Sequence, residues 1–153
     1  MKKIIFEQVG NIILVLLLMV AMVQSVYSAH IEVNSPSISF ELGLFWLLFL
    51  IWMVIFIMFR FLYGKKNKAY DTKKGEFSAE DEREELISKK ATVITYKMMI
   101  TLLIILLFLC FGLSLLLADI KLFQTIIIVA IGISLIVGFI TYLLAWIRFD
   151  ITI

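Results

Sequence analysis

The stretch from Lys97 to Lys121, KMMITLLIILLFLCFGLSLLLADIK, decides the fold. From Met98 to Ala118 it holds no acid and no base. A run of about 20 consecutive apolar residues is what an α-helix needs to cross the hydrocarbon of a bilayer. Three further runs read the same way, so the candidate spans are 10–29, 42–62, 98–118 and 122–147. Composition agrees, since hydrophobic residues make up 63% of the 153-residue chain. Soluble domains reach only about half apolar residues. The mean hydropathy is +1.07. The expected fold is an all-α integral membrane protein with four transmembrane helices as two antiparallel hairpins, in one membrane domain covering 1–153.

Outward from that stretch, charge sets the orientation. If the four runs span, every Lys and Arg except Lys121 falls on one side: Lys2, Lys3, Arg60, Lys65, Lys66, Lys68, Lys73, Lys74, Arg83, Lys89, Lys90, Lys97 and Arg148. Basic residues flanking spans are retained in the cytoplasm, so both termini are expected there, in a multipass protein of the cell membrane. That face suits the anionic headgroups of the bilayer. The basic residues flank spans and alternate with acids, which does not indicate direct nucleic-acid binding. The opening run after Met1-Lys2-Lys3 lacks a convincing cleavage site and is read as a retained first span.

The segment 30–41 holds the single proline, Pro36, and no Lys or Arg. It reads as an outside loop in which Ile31 and Ile38 mark short extended pieces. The segment 64–97 is a cytoplasmic linker followed by a helix. Ser78 is the expected N-cap, with acids in the first turn. No Gly or Pro follows until Gly112. One helix is therefore expected from Ala79 to Leu117, its first half standing in the cytoplasm.

Three spans carry small residues at four-residue spacing: Ala21, Ser25 and Ala29; Cys110, Ser114 and Ala118; Ala130, Ser134 and Gly138. Such spacing marks faces on which helix backbones approach closely in lipid. The sharper alternative is a polar path through Ser25, Ser114 and Ser134 beside Gln24. The second span instead carries an aromatic stripe of Phe45, Phe49, Trp52, Phe56, Phe59 and Tyr63. Steps of three and four residues keep these rings on one side of a helix. The stripe reads as a packing surface, with recognition of an apolar ligand or a foreign span as the alternative.

Chemistry is sparse. Cys110 is the one cysteine, so neither an internal disulfide nor a cysteine metal cluster can form. His30 is the one histidine; Glu32, Glu41 and Asp119 lie on its side without clustering, and no metal is expected. No nucleophile–base pair or phosphate loop is present, so the chain is expected to be neither an enzyme nor a cofactor carrier. Small four-span multidrug exporters resemble it in length and span number, but they use a membrane-embedded Glu in the first span. Glu7, the only counterpart, stands at the inner interface.

The remaining distinctive stretch is Asp81-Glu82-Arg83-Glu84-Glu85-Leu86-Ile87-Ser88-Lys89-Lys90-Ala91, leading to Thr95-Tyr96. Its acids precede its bases, and Glu85 with Lys89 is a favourable i,i+4 pair. An Asp-Glu-Arg signature followed by Lys-Ala and Thr-Tyr, just before the third of four spans, resembles a group of small uncharacterised prokaryotic membrane proteins. Members of that kind are often encoded beside helix-turn-helix regulators, so the resemblance implies a membrane partner of a cytosolic regulator. The expected function is non-enzymatic, regulatory or immunity-type. Asp81, Glu82, Arg83, Glu84 and Glu85 would contact a cytosolic or membrane protein partner, with self-association as a further possibility. The alternative is a small oligomeric transporter or channel.

Overall fold

A computed structural model describes residues 2–31, 38–39, 43–66, 70–71, 73–77, 79 and 81–152. Four helices dominate: α1 (Lys2–Ser28), α2 (Leu44–Lys66), α3 (Glu82–Leu116) and α4 (Ile120–Thr152). All four are long and apolar enough to cross a membrane. Between α1 and α2, β1 (His30–Ile31) and β2 (Ile38–Ser39) form a two-residue antiparallel ladder pairing Ile31 with Ile38. A 3-10 turn, Gly75–Phe77, lies between α2 and α3.

The helices outrun the apolar stretches that define them. Helix α3 has 35 residues. A helix of that length extends about 50 Å, well beyond the roughly 30 Å of hydrocarbon in a bilayer. All of its charged residues fall in the first half, Glu82 to Lys97, before the apolar run. Its start departs from expectation. Ala79 is not helical, and Asp81 is the N-cap, its carboxylate accepting the Glu84 N–H at 2.7 Å. Ser78, the expected cap, lies outside the described residues. An aspartate three residues before a free N–H is the stronger acceptor, and its charge also complements the helix N-terminus. At the other turn Asp119 accepts the N–H groups of Lys121 (2.9 Å) and Leu122 (3.3 Å). It so starts α4 after three non-helical residues, Leu117–Asp119.

Neighbouring helices run antiparallel in the order α2, α1, α4, α3. Arg60 meets Glu7 at one end of the α1–α2 pair and Trp46 meets Ser25 at the other. Between α1 and α4, Met19 lies against Gly132 and the Lys121 ammonium donates to the Ala29 carbonyl at 3.3 Å. Between α4 and α3, Gly138 faces Met99 and Tyr142 faces Ser88. The closest approaches fall at glycines. The Phe56 ring occupies the space of a Gly10 side chain, and a Cβ on Gly132 would stand 2.6 Å from the Met19 sulfur.

The small-residue sets separate on this frame. Ala21 is fully buried, and Ser25 accepts from the Trp46 indole at 2.7 Å while donating to the Ala21 carbonyl. Ser134 and Gly138 are buried. In the third set Ser114 and Ala118 are exposed, and Ser114 donates to its own helix at Phe111. No residue of the most apolar window of α3 is buried.

The hydrophobic core sits at the end carrying both termini rather than at mid-span. It comprises Ile4, Ile87, Ala91, Tyr142, Ala145 and Trp146, with Leu143 and Phe149 against it. Here the helices leave the hydrocarbon, and burial of apolar surface is again favourable.

Gly10→Ala should lower stability in detergent by about 1–3 kcal/mol, because the new methyl overpacks the site. The crowding group is the Phe56 ring. Gly112→Ala, with open space around it, should be neutral or slightly stabilising. Thermal unfolding followed by circular dichroism compares the two, and equal effects would contradict the close α1–α2 approach.

Candidate functional site

The first turns of α1 bury polar side chains: Lys3, Glu7 and Gln8 are at most 4% exposed. A buried carboxylate is costly unless it is paired and hydrogen-bonded. Arg60, which ends the apolar run of α2, reaches back through the antiparallel pairing and donates from Nε to Glu7 Oε1 at 2.9 Å. The Tyr70 hydroxyl, from the segment after α2, donates to the same oxygen. The guanidinium also stands 5.9 Å from the centre of the Phe56 ring. That placement adds the attraction of a cation for an aromatic face. Gly75 has a positive φ of 54°. Glycine adopts that conformation without steric cost, and the linker passes close over the guanidinium. A Cβ at Gly75 would lie 2.5 Å from Arg60 Nη2. Tyr63 completes the cluster, stacked on Phe6 and edge-on to Tyr70, with centroids 5.4 and 5.1 Å apart.

A second group ties α3 to the same end. Lys3 donates to Glu84 at 2.6 Å. Arg83 donates to the Asp150 carbonyl at 2.6 Å and stands 3.4 Å from its carboxylate. Glu85 accepts from Lys89 at 2.7 Å. In this polar half of α3 the hydrogen bond and charge of Lys89, aided by Lys74, hold the Glu85 carboxyl below the usual carboxylate range. Of the five residues singled out as a partner-binding set, Asp81, Arg83, Glu84 and Glu85 are engaged within the chain, and all but Glu84 are exposed.

The aromatic stripe is likewise divided. Phe56 packs on Gly10, the Trp52 indole donates to the Gly10 carbonyl at 3.3 Å, and Tyr63 packs on Phe6. Phe45 and Phe59 are exposed, and Phe49 is half-buried with its ring edge-on to Trp46. Ser25 and Gln24 meet the start of α2, at Trp46 and Phe45, rather than lining a route with Ser114 and Ser134.

Two cavities flank the polar cluster. One, of 260 Å³, is lined by Glu7, Asn11, Arg60, Lys73, Lys74, Gly75 and Phe77. The other, of 280 Å³ and largely apolar, lies among Gln8, Phe77, Thr92, Tyr96, Met99, Phe139 and Tyr142. Phe77 stands on both walls, with its ring edge-on to Tyr142 at 6.0 Å. Among the described residues no group of His, Cys, Asp and Glu could hold a metal. The His30 side chain, Glu32 and Glu41 lie outside that description, and Asp119 caps α4.

Tyr70 and Gly10 carry much of this site and were not marked by the sequence. Only the polarity of Lys3, Glu7 and Gln8 at the head of an apolar run hinted at it.

The chain belongs to the family described as Predicted membrane protein (DUF2178), whose match covers residues 2–153. No curated protein and no solved structure matches it.

Arg60→Met should cost about 3 kcal/mol, because it strands the Glu7 carboxylate in a buried site. Adding Glu7→Gln to that variant should recover part of the loss, a coupling that a double-mutant cycle measures. Glu85→Ala, at an exposed pair, should leave the unfolding temperature unchanged within error. Asp81→Ala should cost about 1 kcal/mol through its cap.

Proposed function

We propose that this family member is a non-enzymatic regulatory or immunity-type membrane protein that presents the first half of α3 to a protein partner at the cytoplasmic face. One observation supports this best. Ile87, Ser88 and Ala91 are buried on one side of that helix, while Glu82, Leu86, Lys89, Lys90, Val93 and Lys97 are exposed on the other. Leu86 and Val93 are 44% and 52% exposed. They precede the apolar run and are flanked by lysines, so lipid does not account for them. An apolar pair rimmed by charge in a watery segment suits recognition of another protein, with the charges selecting the partner.

The reading places the contact on this ridge rather than on the whole Asp81–Glu85 set, since Asp81, Arg83 and Glu84 hold the helix in place. The basic residues gathered at this end support a cytoplasmic orientation, and the resemblance points to a cytosolic regulator as the partner. The spans would then sense or neutralise a membrane-active agent.

A photo-crosslinking residue at position 86 or 93, in native membranes, should capture one defined protein partner, and one at Leu107 should not. Changing Leu86 and Val93 to Ser should lower that capture at least severalfold while leaving stability within about 0.5 kcal/mol, as expected of surface positions. Capture of only the chain itself, or of nothing, would reject this surface. A second reading, a small oligomeric transporter, draws on the buried carboxylate of Glu7. It requires substrate-dependent flux in liposomes that Glu7→Gln abolishes.

A further inference from the structure

We infer that the basic cleft beneath the linker and the apolar cavity beside it form one binding site for an anionic phospholipid of the surrounding bilayer. The headgroup phosphate takes the cleft and an acyl chain takes the cavity. Among the described residues that line the cleft the one carboxylate is Glu7, which Arg60 pairs at 2.9 Å. Lys73 and Lys74 stand exposed on its rim, Lys74 within electrostatic reach of Glu85. Asp71 fixes that rim: its carboxylate accepts the Lys73 N–H at 2.8 Å, and its carbonyl accepts the Lys74 and Gly75 N–H groups at 3.1 and 2.9 Å. The lysines are thus carried on a preformed turn, which lowers the ordering cost of binding an anion.

Depth and shape select a lipid among anions. Arg60 closes the apolar run of α2 and Met99 lies at the start of that of α3, so the two cavities straddle the level where headgroups meet acyl chains. Phe77 is the wall they share. On its far side Met99, Phe139 and Tyr96 offer an apolar channel suited to a hydrocarbon chain. A basic pocket between membrane helices at this depth favours an anionic headgroup over a zwitterionic one. A soluble phosphate compound would have no use for the apolar half. The inference holds whichever side of the membrane this end faces, and it is independent of the partner surface on α3.

The test is native mass spectrometry of the detergent-purified full chain, titrated with dioleoylphosphatidylglycerol, dioleoylphosphatidylcholine or inorganic phosphate. One phosphatidylglycerol should be retained about thirtyfold more tightly than phosphatidylcholine, as two juxtamembrane lysines would provide. Changing Lys73 and Lys74 together to Ala should abolish that preference, with the unfolding temperature preserved because both side chains are exposed. Phe77→Ala should weaken retention of both lipids. Equal retention of the two lipids by the native chain, or an unchanged preference in the double lysine variant, would overturn the inference. Inorganic phosphate that displaces phosphatidylglycerol at matching concentration would assign the cleft to a soluble anion and overturn the lipid assignment.

Discussion

A leucine inside hydrocarbon gains nothing by exchanging lipid for another helix, so apolar content alone cannot hold four spans together. That constraint organises the molecule. Across the spans, contacts include places where backbones come close or a polar hydrogen is shared: Phe56 on Gly10, Met19 on Gly132, Met99 on Gly138, and the Trp46 indole on Ser25. Elsewhere the helices show their side chains outward, as Leu107, Phe108 and Phe111 do on α3. In water this would be an unstable surface, and in a bilayer it is solvated.

Where the helices leave the hydrocarbon the driving force returns, and the chain builds a conventional core there from Ile4, Ile87, Ala91, Tyr142, Ala145 and Trp146. The same end carries the buried polar groups. Lys3, Glu7 and Gln8 open α1 and would be costly in lipid. Every other helix and the linker contribute to the polar network at this end: Arg60 from α2, Glu84 and Ser88 from α3, Tyr142 and Asp150 from α4, Tyr70 from the linker. Within the Glu7 cluster, removing Arg60 or Tyr70 leaves the buried carboxylate with fewer donors, which is costly where water does not reach.

How much of this was legible depends on the distance over which each signal acts. Local signals read well. The four apolar runs became four helices, the three–four stripe of α2 set Trp52, Phe56 and Tyr63 on one face, and Glu85 found Lys89 one turn away. Signals needing a second element did not. Arg83 and Glu84 pair with Asp150 and Lys3, 67 and 81 residues away, which only the folded chain brings to them. Ser78 and Asp81 both fit the start of a helix, and only the backbone decides which carboxylate or hydroxyl meets a free N–H. The Cys110–Ser114–Ala118 spacing matched that of the buried sets, yet Ser114 and Ala118 turn outward.

The sequence by itself determined the class: four apolar segments of spanning length, and a basic excess on alternate connections that any antiparallel arrangement gathers at one end. Length, hydropathy and charge sign are properties of consecutive residues, which is why they could be read directly. Only the tertiary structure decided that α1 lies between α2 and α4, that Tyr70 and Arg60 converge on Glu7, and that Leu86 and Val93 face away from every other helix. Those outcomes depend on which helix faces lie together, and lipid, being as apolar as the side chains, leaves hydropathy silent on that choice.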